Sequence, residues 1–302
     1  MKNESTRHTE SGVLFALAAY TTWGLFPLFW KLFQGVPHER VLAHRIVWSA
    51  LFFLLLLFWR HGSAATLQVA AVMRSWRGLA LSAALLGANW FIYIYAVNSG
   101  CVVESSFGYF ITPLVNVLLG VVVLRERLRP LQWAALTIAT VGVATLGFQG
   151  DRLPVIAISL AVSFGSYGLV RKKLALQPLA ASTLESLMLS VPALAYFVLG
   201  SGTGLVAMAA PVSDTQALLL VLGGCLTGLP LLWFAQAAER LPLSVMGFFQ
   251  YITPSLQLAL AVFAYHEPFT AVHARSFACI WLGLLLCSVD AVKVFRHQAI
   301  TC

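Results

Sequence analysis

The chain has 302 residues, 60% hydrophobic and only 10% charged, with a mean hydropathy of +0.85. A soluble domain of this length has no interior large enough for that much apolar surface, so the composition excludes a soluble globular protein and makes the bilayer the solvent. The net charge of +8 lies in short loops between apolar runs rather than on one continuous face, which argues against a nucleic-acid partner.

A helix needs about 20 largely apolar residues to cross the hydrocarbon core. Runs of that kind predict spans over 11–33, 41–59, 78–97, 103–124 and 130–148. Five more follow over 153–171, 179–200, 215–237, 242–264 and 274–294. The polar first ten residues precede a run long enough to span, so no cleaved leader is expected. With the N-terminus on the cytoplasmic side, most of the 19 Lys and Arg residues fall on that side. Among them are Arg60, Arg74, Arg77, the Arg125, Arg127 and Arg129 group, and Arg171-Lys172-Lys173. That asymmetry predicts both termini in the cytoplasm. The longest polar stretches, near 60–77 and 201–214, leave no room for a soluble domain.

The chain also repeats itself at a distance of 141 residues. Phe110-Ile111-Thr112-Pro113 returns as Tyr251-Ile252-Thr253-Pro254, and the same shift carries Asn116 onto Gln257 and Glu126 onto Glu267. Five spans per half is an odd number, so the second half enters the membrane upside down relative to the first. The expected fold is therefore an all-α polytopic membrane protein. It has ten transmembrane helices as two inverted five-helix repeats, 11–148 and 153–294. Inverted repeats are the usual build of a secondary transporter.

The first span carries Tyr20, Trp23, Gly24, Pro27 and Trp30, and its counterpart carries Ala161, Phe164, Gly165, Gly168 and Arg171. Both read as aromatic helices broken by Gly or Pro near mid-membrane. Trp30 and Lys31 have the character of an interfacial anchor. Trp23 sits deeper, where it offers a stacking surface for a flat ligand or packs against lipid. The third span places Asn89 and Tyr93 on one face. In the fourth, Tyr109, Thr112 and Asn116 fall within about 60° on a helix at 100° per residue. Gln250, Thr253 and Gln257 form the equivalent stripe of the ninth. Proline removes a backbone hydrogen bond, so both helices are expected to kink at Pro113 and Pro254. Interrupted helices at matching positions of two halves point to a transport site. The two stripes read as facing walls of one cavity. The plainer role of the same residues is interhelical hydrogen bonding, at about 0.6–2 kcal/mol each.

Ionisable groups at membrane depth are costly and so informative. Glu104, at the outer end of the fourth span, is expected either to pair with Arg45 or to serve the cavity. Glu185, about two turns into the seventh, has no basic residue at i±3 or i±4. Its partner must come from another helix, from water or as a proton. Both are candidate proton sites, with Glu104 favoured because it shares the helix of the Tyr109 stripe. Glu126, set among three arginines, reads as part of a solvated loop ion cluster. Ala83, Gly87, Ala135, Ala139 and Gly142 read as small-residue packing faces. The five cysteines lack CxxC spacing and read as inert thiols. No catalytic, dinucleotide, phosphate-loop or metal-ligand motif is present, so neither an enzyme nor a cofactor is expected.

Two strings resemble the RarD proteins of the EamA-type drug/metabolite transporter superfamily: Tyr20-Thr21-Thr22-Trp23-Gly24-Leu25-Phe26-Pro27 and Ala43-His44-Arg45-Ile46-Val47-Trp48-Ser49. Asn89-Trp90, Glu104-Ser105-Ser106-Phe107-Gly108-Tyr109 and Phe249-Gln250-Tyr251-Ile252-Thr253-Pro254 strengthen the likeness. The resemblance implies ten helices in two inverted repeats, a bacterial inner-membrane location and outward transport of small molecules in a group labelled chloramphenicol-sensitive. The expected partners are a small-molecule substrate and the lipid bilayer, with the oligomeric state left open. The alternatives are a non-transporting membrane sensor or scaffold, and a membrane-embedded enzyme acting on lipid.

Overall fold

The computed structural model describes residues 2–33, 36–98, 102–147, 154–199 and 213–264, and beyond them 271, 274–276, 278–283, 285, 286 and 289. The first five helices are α1 (Lys2–Trp30), α2 (His38–His61), α3 (Ala65–Met73), α4 (Trp76–Asn98) and α5 (Val102–Val122). Then come α6 (Pro130–Gly147), α7 (Val155–Leu174), α8 (Pro178–Leu199), α9 (Asp214–Arg240), α10 (Leu243–Gln250) and α11 (Ile252–Ala259). A π-helical turn at Leu260–Ala264 continues α11, and residues 274–276 and 278–283 are again helical. In hydrocarbon only a helix or a closed barrel satisfies every backbone polar group internally, which is why long apolar runs take this form.

Among the described residues six stretches are long and apolar enough to cross a bilayer: Thr9–Trp30, Glu39–Met73, Val155–Leu174, Pro178–Val198, Asp214–Arg240 and Leu243–Ala264. Phe107–Val122 and Pro130–Thr145 are shorter apolar helices. The outer surface is apolar to match, with Trp59 85% and Phe263 80% exposed. The chain is a polytopic membrane protein.

Helices pack mainly across the sequence midpoint. α5 lies against α7 and α10, α2 against α8 and α9, α4 against α7 and α8, and α1 against α9 and α11. Between α2 and α9 the backbones nearly touch. A Cβ at Gly224 would stand 2.3 Å from Trp48 Cβ, and Ser49 Oγ donates to the Gly224 carbonyl at 2.9 Å. The small-residue faces of α4 and α6 do pack, since Ala83, Ala135 and Ala139 are buried and Gly142 faces Ser276 and Cys279.

Three local features depart from the sequence reading. First, residues 65–73, within a stretch read as loop, form α3. Its residues Ala65 and Val72 are buried against the core. Second, the ninth span is broken and its partners are not. α10 ends at Gln250 and α11 starts at Ile252, because Pro254 has no N–H to offer the Gln250 carbonyl. α5 stays helical through Pro113, and α1 through Pro27. Third, Glu126 is not a solvated loop charge. Arg125 adopts φ +57° and turns the chain back. The Glu126 carboxylate then accepts the Leu243 N–H at 2.7 Å, the Ser244 N–H at 2.9 Å and the Ser244 hydroxyl at 2.6 Å. It caps the N-terminus of α10, where the helix dipole favours negative charge. Lys172 of α7 donates to the Ala238 and Leu241 carbonyls at the other side of the same turn.

Replacing Glu126 by Ala should lower stability by about 1–2 kcal/mol, the scale of a lost charged cap. Glu126→Gln should recover part of that loss, because one amide oxygen still accepts. Unfolding midpoints in mixed micelles would read this. Equal midpoints for wild type and Glu126→Ala would mean the cap contributes nothing.

Candidate functional site

A cavity of about 200 Å³ lies between the halves. From the first half, α1 contributes Trp23, Phe26, Pro27 and Trp30, α2 Arg45, α4 Asn89, Trp90 and Tyr93, and α5 Gly108, Tyr109 and Thr112. From the second, α7 contributes Leu160 and Phe164, α9 Leu231, α10 Gln250, and α11 Thr253, Pro254 and Gln257. Four pairs of these residues stand 141 positions apart: Trp23 and Phe164, Trp90 and Leu231, Tyr109 and Gln250, Thr112 and Thr253.

Much of the polar lining is already engaged with backbone. Pro27 deprives the Trp23 carbonyl of its helical donor, and Gln257 Nε2 donates to that carbonyl at 3.4 Å. Asn89 Nδ2 donates to the Leu160 carbonyl at 2.9 Å and to Ser163 Oγ at 3.0 Å, so its carbonyl oxygen remains as an acceptor. Thr112 donates back into its own helix, to the Gly108 carbonyl at 2.7 Å. Thr253 instead donates across to the Tyr20 carbonyl of α1 at 2.8 Å.

One end of the cavity is shut by aromatic rings. Trp23 meets Phe164 edge to face at 5.7 Å, and Phe234 lies 5.8 Å from Trp23 and 5.4 Å from Phe164. Tyr167 stacks on Phe234 at 5.7 Å, and Tyr20 closes the cluster from α1. These rings are buried or half-buried, so deep Trp23 faces protein rather than lipid.

Eight of the residues expected at the site meet at this cavity: Trp23, Asn89, Tyr93, Tyr109, Thr112, Gln250, Thr253 and Gln257. Asn116 does not line it. It is fully buried, with Nδ2 donating to Gln250 Oε1 at 2.5 Å and Oδ1 packed over Gly165 of α7. Glu104 lies outside the residues whose side chains are described, as does its expected pairing with Arg45. Glu185 sits apart from the cavity, 2% exposed, and carries an ion pair. Arg171 Nη1 stands 3.3 Å from its carboxylate, and Ser82 of α4 donates to the same oxygen. Arg171, read at the cytoplasmic end of the sixth span, is 6% exposed. Among the described residues no cluster of His, Cys, Asp or Glu is arranged to hold a metal ion.

Sequence reasoning missed Arg45 as a lining residue. It stands seven residues into α2, about 10 Å from the helix start. Its guanidinium carbon lies 4.5 Å from the Trp90 ring centre and 5.3 Å from that of Trp30. The signal was available, since a lone arginine that deep in an apolar run is a functional residue by default.

The EamA-like transporter family model matches residues 10–148. The uncharacterized transporter YojE of Bacillus subtilis (strain 168) is 43% identical over 94% of this chain and 96% of its own length. Protein RarD of Salmonella typhimurium is 42% identical over 97% of this chain and 99% of its own. A solved crystal structure of a protein 19% identical superposes with a TM-score of 0.74, covering 94% of this chain and 99% of the other. That likeness speaks to the fold alone.

The Arg171–Glu185 pair gives a direct test of the electrostatics beside the site. Glu185→Ala strands a buried guanidinium and should cost about 3–5 kcal/mol of stability. The double replacement Arg171→Met with Glu185→Leu should recover most of it, because a packed apolar pair needs no counter-ion. A double variant no more stable than Glu185→Ala in a denaturant titration would show that the pair is not the source of the loss.

Proposed function

Since the chain belongs to the EamA-like transporters and has RarD proteins among its full-length relatives, we propose that it is a secondary transporter of the bacterial inner membrane that exports small polar or amphipathic metabolites by alternating access. The observation that carries this reading is the cavity itself, lined by four pairs of residues at one sequence offset. A volume of about 200 Å³ is below the roughly 300–1,000 Å³ of drug-sized pockets, which favours a small substrate.

In this reading the ten spans form two inverted repeats, 11–148 and 153–294, with both termini in the cytoplasm. The packing pattern supports it. Exchanging the halves turns α5 on α7 into the ninth span on α1, α4 on α7 into α9 on α1, and α2 on α9 into α8 on α4, and all of these contacts occur. With that orientation, Trp30, Arg45 and Tyr93 face outward. The aromatic cluster, the Arg171–Glu185 pair and the Glu126 cap close the cytoplasmic side. Transport then alternates between this arrangement, closed on that side, and one in which those contacts part.

Flux of a broad panel of metabolites and drugs in proteoliposomes tests the proposal. Saturable transport is expected. Its absence from well-folded protein argues against transport, and ligand binding without flux would favour a sensor. Gln257→Leu should weaken ligand binding about tenfold or more, the scale of a lost polar contact that also orphans the Trp23 carbonyl. Asn116→Leu should act through Gln250 and weaken it less. Unchanged affinity in both variants would leave these residues only as contacts between helices.

Coupling to protons needs an acid that is free to titrate. Glu185 is committed to Arg171, so Glu104 is the better carrier. Glu104→Gln should abolish the response of transport to an imposed pH gradient, whereas a response kept in both Glu104→Gln and Glu185→Gln would rule carboxylate coupling out.

A further inference from the structure

Among the described residues, one full positive charge lines the cavity, with a set of donors around it. Arg45 lines the wall, and its Nε is buried without a hydrogen-bond partner. Among the described residues no carboxylate lies within ion-pair distance of it. Contrast Arg171, which has Glu185 at 3.3 Å. Trp90 and Trp30 hold the Arg45 guanidinium by ring contacts, which fix it without using its N–H edge. Tyr93 and Tyr109 lie within electrostatic reach of it, with their rings 6.1 Å apart. Both line the cavity, and phenol hydroxyls can donate. A cation inside a membrane with no acidic partner among the described residues, aimed into a cavity and surrounded by donors, is a site for an anion.

The charge count narrows the class. One guanidinium balances one negative charge, and its planar fork matches the two oxygens of a carboxylate. A dianionic phosphate would bring a second charge with no partner among the described lining residues. Trp23, Phe26 and Phe164 make the wall deeper in the cavity apolar and aromatic. We infer that the substrate is a small monocarboxylate with an apolar portion, its carboxylate held by Arg45, Tyr93 and Tyr109 and its apolar portion lodged against Trp23 and Phe164. This rests on the cavity being the transport site, and it adds the chemical class of what is transported.

The test is equilibrium binding to the purified full-length protein in nanodiscs, using one phenylethyl skeleton with four head groups: 3-phenylpropionate, 3-phenylpropanamide, 3-phenylpropanol and 2-phenylethyl phosphate. The carboxylate should bind about tenfold or more tightly than the amide and alcohol, the scale of one charge-assisted pair. It should also outcompete the phosphate. Arg45→Gln should erase the carboxylate's advantage over the amide, and Arg45→Lys should keep part of it, since lysine holds charge but not the fork. The wild-type preference needs no variant to fold, so a misfolded Arg45→Gln does not blunt the test. Equal binding of carboxylate and amide, no binding of the carboxylate, or preference for the phosphate would each overturn the assignment. Carboxylate binding without flux in proteoliposomes would sink the transport reading and spare this one. Saturable flux of neutral or cationic compounds, with carboxylates ignored, would do the reverse.

Discussion

A carbonyl group in hydrocarbon must find a donor inside the protein, because no water is there to supply one. Much of the interior follows from that demand. Pro27 removes the donor that the Trp23 carbonyl would have had, and Gln257 reaches from α11 to replace it. Thr253 reaches from the same helix to the Tyr20 carbonyl one turn away. Two side chains thus tie α11 to α1 through main-chain atoms, and they leave the gap between those helices polar on one side and aromatic on the other. The cavity is what remains when helices are held together at such points rather than along a continuous apolar seam.

Charge is placed with the same economy. The turn between α9 and α10 is fixed from two sides by ions of opposite sign, each at the helix end whose dipole it complements. Glu126 comes from the connection after α5, and Lys172 from the end of α7. The turn is therefore held by elements of both sequence halves. Deeper in, Arg171 and Glu185 neutralise each other, and Ser82 supplies a further bond from α4. Arg45 is the contrasting case, steadied by the Trp90 and Trp30 rings.

Hydropathy alone placed the apolar helices well, because a span is a property of about 20 consecutive residues and needs no partner. The polar stripes were legible for the same reason: Tyr109 and Thr112, like Gln250 and Thr253, share a face by helical arithmetic within one segment. What escaped was the identity of most partners on a second helix. Glu126 looked solvated because its neighbours in sequence are arginines, but its partners are Leu243 and Ser244, more than a hundred residues away. Arg171 was counted with the two lysines that follow it as a cytoplasmic charge at the end of its span, yet it is buried against Glu185. Asn116 belongs to the Tyr109 stripe by angle, yet it is spent on Gln250 and on packing over Gly165. Pro113 and Pro254 sit in the same local sequence, but only the second interrupts its helix.

With the halves related as proposed, each position has a counterpart that takes over its role when the opposite face opens. Thr112 and Thr253 are chemically the same, so trading which of them bonds its own helix and which bonds a neighbour is nearly isoenergetic. The closure at Arg171 and Glu185 has no such match, for the shift of 141 places Trp30 and His44 at the mirrored positions. One of these position pairs is an ion pair, whereas its counterpart holds an indole packed on Arg45 and an imidazole packed on Phe197. On that proposal the resting equilibrium between the two faces would be set where the repeat is imperfect, and Trp30, which also lines the cavity, would tie that balance to the site itself.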